Sequence, residues 1–283
     1  MGVALGPSPQ PATAASASGR ALDERLDAWA RLAGLNRPVA ITLIFLEFAS
    51  GSPRLQTRGS LAWNPATFDR AITGSSLGMT LLREAGEARE LLSNHRGDLV
   101  GASPSEGYTG LVLAGAISDK LLFLKGLAES TARETGVAYL PHAVSVTERK
   151  GSLEWTTTDA SSELFDQIAL LWGLSATYAL VTDAQLQSLF RPDGPFGDLR
   201  PGLVVSLIQT VLSTLRDGHL TADGQVFVDR ATHTAQGWAR GATVTTANLG
   251  LAIDALRVRV RTLTASHSLP ARLWNLPAPP CPS

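Results

Sequence analysis

A chain of 283 residues with 44% hydrophobic and 17% charged residues is long and apolar enough to bury a large core. Its formal net charge of −1 excludes a uniformly basic nucleic-acid module, so any polyanion contact has to come from a local basic face. One cysteine, Cys281, excludes an internal disulfide and a cysteine-built zinc site, and fits a reducing compartment.

Residues 1–19, rich in Ala, Ser and Pro, lack the basic and apolar regions of a secretory signal and read as a disordered arm. Leu22, Leu26, Trp29 and Ala33 then recur at helical spacing, with Gly34 as a stop, which predicts a helix over 20–33. The run 39–48 (VAITLIFLEF) predicts a buried strand too short to cross a bilayer. After the turn Gly51-Ser52-Pro53, residues 55–63 predict a second strand. Ser75 or Ser76 is placed to cap a helix reaching Leu92. Residues 108–117 predict a strand, and Ser118 then caps a helix ended by Gly136. A hairpin is expected over 137–147 and 153–158, turning at Lys150-Gly151.

The second half has the same texture. Asp159 is expected to cap a helix through Trp172, with Glu163 favouring its positive end. A short strand over 177–181 and a helix from Thr182 or Asp183 follow. The proline- and glycine-rich loop 191–202 leads to a helix over 203–215 ended by Gly218, and 225–228 is a candidate strand. The clearest amphipathic pattern lies over 248–263, with Leu249, Ile253, Leu256, Val260 and Leu263 on one stripe. Residues 270–283 form a loose Pro-rich tail. Interleaved helices and strands predict a mixed α and β fold, one continuous unit over 20–269.

Phosphate-binding GxxxxGK[ST], dinucleotide-binding GxGxxG after a strand, and HExxH are all missing from the sequence. His95, His142, His219, His233 and His267 are scattered, so neither a metal nor a cofactor is expected. One catalytic pattern matches. Gly74-Ser75-Ser76-Leu77-Gly78 fits GxSxG, the nucleophile elbow of α/β-hydrolases. The segment before it, FDRAIT, is a poor buried strand, and no HGGG-type oxyanion loop is present. A helix entry turn is the better account, leaving a serine hydrolase built on Ser76 as a minor alternative. No catalytic residue is expected.

Basic residues gather in a few places. Lys120, Lys125 and Arg133 fall on the helix after Ser118, Arg149 and Lys150 crown the hairpin, and Arg191 and Arg200 flank the proline-rich loop. Arg257 and Arg261 share one side of the last long helix. These nine are the candidate contacts for a polyanion, each with an ordinary solvated charge as the alternative. Trp172, on a helix apolar nearly all round, is the candidate for self-association.

Four segments have a specific texture: GRALDERLDAWARLAGL, SDKLLFLKGLAE, LEWTTTDASSELFDQIALLWGL, and TYALVTDAQLQSLFRPDGPFGDLRPGL. Together, over about 20–265, they resemble the pleiotropic DNA-repair-promoting protein family of deinococci. The resemblance implies a radiation-response protein that binds double-stranded DNA, prefers broken or nicked DNA, assembles along it and stimulates DNA ligase. It implies no cofactor and no catalysis, and a cytoplasmic, nucleoid-associated location. No short signature transfers DNA contacts residue by residue. A protein–protein scaffold without DNA affinity is the other expectation compatible with the neutral charge.

Overall fold

The computed structural model describes residues 17–39, 71–93, 100–149 and 152–265. The strands predicted over 39–48 and 55–63, the arm and the tail fall almost entirely outside them. Seven helices carry the described residues: α1 (Ala17–Leu32), α2 (Gly74–Ser93), α3 (Pro104–Thr135), α4 (Leu164–Val181), α5 (Gln187–Phe190), α6 (Pro201–Thr214) and α7 (Thr246–Ala265). A π-helical turn, Leu215–His219, extends α6. Two small antiparallel sheets complete a mixed α and β fold, ordered β1 (Ala71–Thr73), β2 (Ala143–Arg149), β3 (Ser152–Asp159) and β4 (Ser161–Glu163), β5 (Arg230–Thr234), β6 (Gly237–Arg240).

Helix α4 is the axis of the core. Fourteen of its 18 residues are buried, so although it is long and apolar enough to cross a membrane, it is mostly enclosed by the protein itself. Helix α2 lies against it backbone to backbone. A Cβ built on Gly78 would stand 2.2 Å from the Ala169 carbonyl carbon, and one on Gly173 would stand 2.3 Å from the Gly78 oxygen. Only glycine permits that approach. On the far side of α2 lies α3, and α6 and α7 close the other flanks of α4. One hydrophobic cluster runs through all of them, from Trp29 on α1 to Ala255 on α7. Each fully buried Leu or Ile in it contributes about 1.5–3 kcal/mol.

The strand predicted over 108–117 is the first half of α3. Its true start is Ser103, whose hydroxyl accepts the Glu106 N–H, with Pro104 in the first turn, an S-x-x-E capping box. Gly136, at φ 78°, ends it as expected. Ser118 is buried in mid-helix instead of capping one. The segment looks like a strand because it is apolar all round, and Gly115 shows why: the Trp29 ring would lie 2.1 Å from a Cβ there. Residues 177–181 likewise continue α4. The helix expected from Thr182 is reduced to a turn and the short α5. Around Asp159 the chain forms β3, a one-residue step and β4 before α4 begins at Leu164. Among the described side chains of α7 the buried positions are Ala252 and Ala255, while Ile253 from the predicted stripe is 60% exposed.

Candidate functional site

The nine basic candidates separate by environment. Lys120 is a correction. It faces α2, is buried, and its Nζ pairs with the equally buried Glu84 carboxylate at 3.0 Å. No phosphate can reach it. Lys125, further along α3, is exposed and paired with Glu129 one turn on. Arg133 is exposed, its Nε donating to the Glu129 carbonyl oxygen. Arg191 and Arg200 stand exposed at the two ends of a folded loop in which Gly194 N–H donates to Arg191 O and Arg200 Nε donates to Gly197 O. Arg257 is exposed on α7. Lys150 and the side chains of Arg149 and Arg261 lie outside the described residues.

Pairing sharpens the division. Arg25, Arg83, Arg89, Arg216 and Arg230, none of them candidates, are each ion-paired to a carboxylate. Arg133, Arg191, Arg200 and Arg257 carry no ion pair among the described residues. Trp29 packs on Phe196 with ring centroids 5.5 Å apart, which seats the end of α1 on the 191–200 loop. That contact adds Arg31 and Arg37, exposed and missed from the sequence. Asp193 and Asp198 are also exposed on this loop, so its charge is mixed.

Trp172 is half-buried in a groove of roughly 360 Å³ between α2, α4 and α7, with Met79, Leu82, Ala176 and Ala179 as apolar walls and Asp254 at the rim. Met79 and Ile253 are exposed hydrophobics on the same three-helix side. Sequence identified Trp172 but not its neighbours, because α2 and α7 reach it only through the tertiary fold.

The GxSxG segment is not an elbow. Helix α2 begins directly after the three-residue β1, and Thr73 is its cap: Thr73 Oγ1 accepts the Ser76 N–H, while the Ser76 hydroxyl donates to Thr73 O at 2.9 Å. The neighbouring Ser75 N–H donates to Asp166 Oδ1 at 2.8 Å, and Asp166 Oδ2 holds His142 Nδ1 at 2.6 Å. His142 bridges the two sheets, its N–H donating to Ser161 O and its carbonyl oxygen accepting from Gly74. Asp166 thus ties the starts of α2 and α4 to this bridge.

Further carboxylates surround the junction. Arg230 pairs with both Asp159 and Glu163. Burial pushes the Asp159 carboxyl up, but the hydrogen bond from the Ser161 N–H and the Arg230 charge outweigh it, and the net direction is down. Burial dominates at Glu163, whose carboxyl lies above its ordinary range despite Arg230. Their expected capping role is therefore replaced by a shared ion pair. Beneath them His219 is fully buried. Its Nδ1 lies 2.8 Å from the Val228 carbonyl oxygen and must carry the proton, so Nε2 accepts from the Ser162 hydroxyl at 2.8 Å. Burial lowers its pKa and keeps it neutral. Among the described residues no group of three His, Cys, Asp or Glu side chains is placed to hold a metal ion. Asp159, Glu163, Arg230, Asp166, His142, Ser162 and His219 are engaged in these contacts, while the buried Ser161 hydroxyl has no hydrogen-bond partner among the described residues.

No family model matches the chain, and no curated protein matches it. Among solved structures, it is similar to a mutant endo-beta-1,2-glucanase from Talaromyces funiculosus in complex with beta-1,2-glucan, with a TM-score of 0.44 and 13% identity over 69% of this chain and 40% of that one.

Proposed function

We propose that this protein is a non-enzymatic DNA-binding protein of the DNA-damage response that assembles on broken double-stranded DNA and promotes end joining by ligase. The observation that supports it is the pairing pattern of the arginines. A guanidinium already held by a carboxylate has to break that pair, and bring a negative group toward the phosphate, before it can bind DNA. Arg133, Arg191, Arg200 and Arg257 have no such cost, and an exposed arginine matches phosphate geometry with two donors. The family resemblance points the same way.

A protomer with few such contacts binds a polyanion weakly. Self-association, with the Trp172 groove as one contact, makes the contacts multivalent and raises avidity by ~10²- to 10⁴-fold. Holding two ends in one assembly raises their effective concentration for a ligase.

Gel-shift titration against supercoiled, nicked and linear plasmid at two salt concentrations tests this. Cooperative, salt-sensitive binding that favours nicked and linear DNA is the expected result. The Arg191→Ala/Arg200→Ala variant is expected to weaken binding to all three forms and to lower the salt slope by about 2, since each phosphate contact contributes about 0.9. An absence of binding at low salt would overturn the reading and leave the protein–protein scaffold, which the mixed surface charge favours.

A further inference from the structure

Ser175 lies on the wall of the groove that holds Trp172. It is 3% exposed, and its hydroxyl has no hydrogen-bond partner among the described residues. Two residues on, the buried Thr177 hydroxyl donates back to the Gly173 carbonyl oxygen at 2.9 Å, the usual resort of a helical hydroxyl. Ser175 does not, and a buried donor left alone costs stability until it finds an acceptor. At the rim Asp254 is exposed and makes no ion pair among the described residues, even with Arg257 one turn further along α7. The groove thus offers a half-buried indole between apolar walls, one unused donor and one unused negative charge. An occupant that fits it has an apolar edge, a free backbone carbonyl and a cation.

Residues 266–283 (SHSLPARLWNLPAPPCPS), which follow α7 in the sequence, have all three. Their five prolines favour polyproline II, whose carbonyls have no internal partner. At three residues per turn, that conformation sets Pro270, Leu273, Leu276 and Pro279 along one edge. Aromatic-lined grooves take up segments of this kind. Arg272 supplies the cation. The reach fits as well: Asp254 lies about 16 Å back along the helix from Ala265, and residues 266–272 in polyproline II span about 22 Å. Other segments outside the described residues fit less well. Residues 1–16 contain no lysine or arginine, and residues 40–48 carry only the charge of Glu47.

We propose that residues 266–283 fold back along α7 and dock in this groove. The apolar edge lies against Trp172 and Met79, Arg272 meets Asp254, and a carbonyl of the segment accepts the Ser175 O–H. The docking does not rest on DNA binding. It bears on assembly, because the same groove is the self-association contact of the proposed function. The segment and a second copy are then rival occupants, and the segment holds assembly back until it is displaced.

The test is photo-crosslinking of the full chain, with a benzophenone carried on Asn275→Cys and the natural thiol removed by Cys281→Ser. Peptide mapping is expected to place the crosslink in α2 around Met79 or in α4 around Trp172. Mixing isotopically light and heavy protein is expected to show that it forms within one chain. Asp254→Lys should lower the yield by about fivefold with an unchanged melting temperature, and adding Arg272→Glu should restore it to within about twofold. A crosslink elsewhere, one formed only between copies, or a yield indifferent to Asp254→Lys would overturn the inference. So would a charge swap that fails to restore the yield. Sedimentation of Arg272→Glu alone separates this inference from the proposed function, with heavier species than wild type expected at the same concentration. A lost crosslink beside unchanged sedimentation would sink only the second-copy contact.

Discussion

The two faces of α3 hold the same chemistry in opposite surroundings. Lys120 and Lys125, under two turns apart, are each paired with a glutamate. The first pair is sealed between α3 and α2, with Lys120 only 8% and Glu84 2% exposed; the second stands in water. A buried pair is a commitment, because neither charge can be left alone in a low dielectric. An exposed pair is nearly neutral for stability and is easily exchanged. Whether a basic residue belongs to the fold or to a partner is thus decided by helix phase, which the residue type does not record.

The largest expected effect tests this directly. Lys120→Ala should destabilise by about 3–5 kcal/mol in urea unfolding, because it strands the Glu84 charge, whereas Lys125→Ala should stay within about 0.5 kcal/mol. The double change Lys120→Met/Glu84→Leu should recover most of the loss. Equal effects at the two lysines would break the comparison.

The same division runs through the glycines of α2. Gly78→Ala should cost about 1–3 kcal/mol or more, since the added carbon meets the α4 backbone. At Gly86 a Cβ meets nothing within 4 Å, so Gly86→Ala should gain about 0.5–1 kcal/mol. Thermal unfolding of both variants reads the contrast.

A buried base gives a smaller, pH-dependent effect. Burial depresses the pKa of His219 in the folded chain, while in the unfolded chain it protonates near about 6.5. Below that pH the unfolded state takes up a proton that the folded state resists, so stability falls on acidification and is unaffected above about pH 7. The His219→Asn variant, whose amide can still donate to Val228, should show a flatter stability curve between pH 7 and 5. An unchanged slope would place the acid sensitivity elsewhere. The smallest stability effect is expected at the surface: Arg191→Ala/Arg200→Ala should unfold within about 0.5 kcal/mol of wild type while losing DNA affinity.

Much of the fold was legible where one local signal dominated. The helix around Leu26 and Trp29, the pairing of β2 with β3 (though β2 begins only at Ala143), and α7 all lie close to their predicted places. Two kinds of segment were not. The first half of α3 and the last turn of α4 are apolar on every side, so periodicity carries no information there, and the capping box at Ser103 was the signal that could have decided the first. Strands β5 and β6 are short and half-polar, and they form because the chain returns to pair with β4. At the candidate site the sequence supplied the arginines but not their availability. Pairing of Arg230 with Asp159 spans 71 residues, and the burial of Lys120 depends on a partner on another helix.

The Asp166 clasp bears on how the chain reaches this structure. Its bond to the Ser75 N–H closes a separation of 91 residues, and the acceptor geometry exists only once the first turns of α2 and α4 are both formed and docked. Local helices form in microseconds, but long-range closures have to wait for the chain entropy to be spent. The clasp therefore belongs on the native side of the folding barrier, so that Asp166→Asn should leave the refolding limb of a chevron where it is and raise the unfolding limb. A carboxylate at the meeting point of two helix starts would then set how long the folded protein lasts, with little influence on how fast it appears.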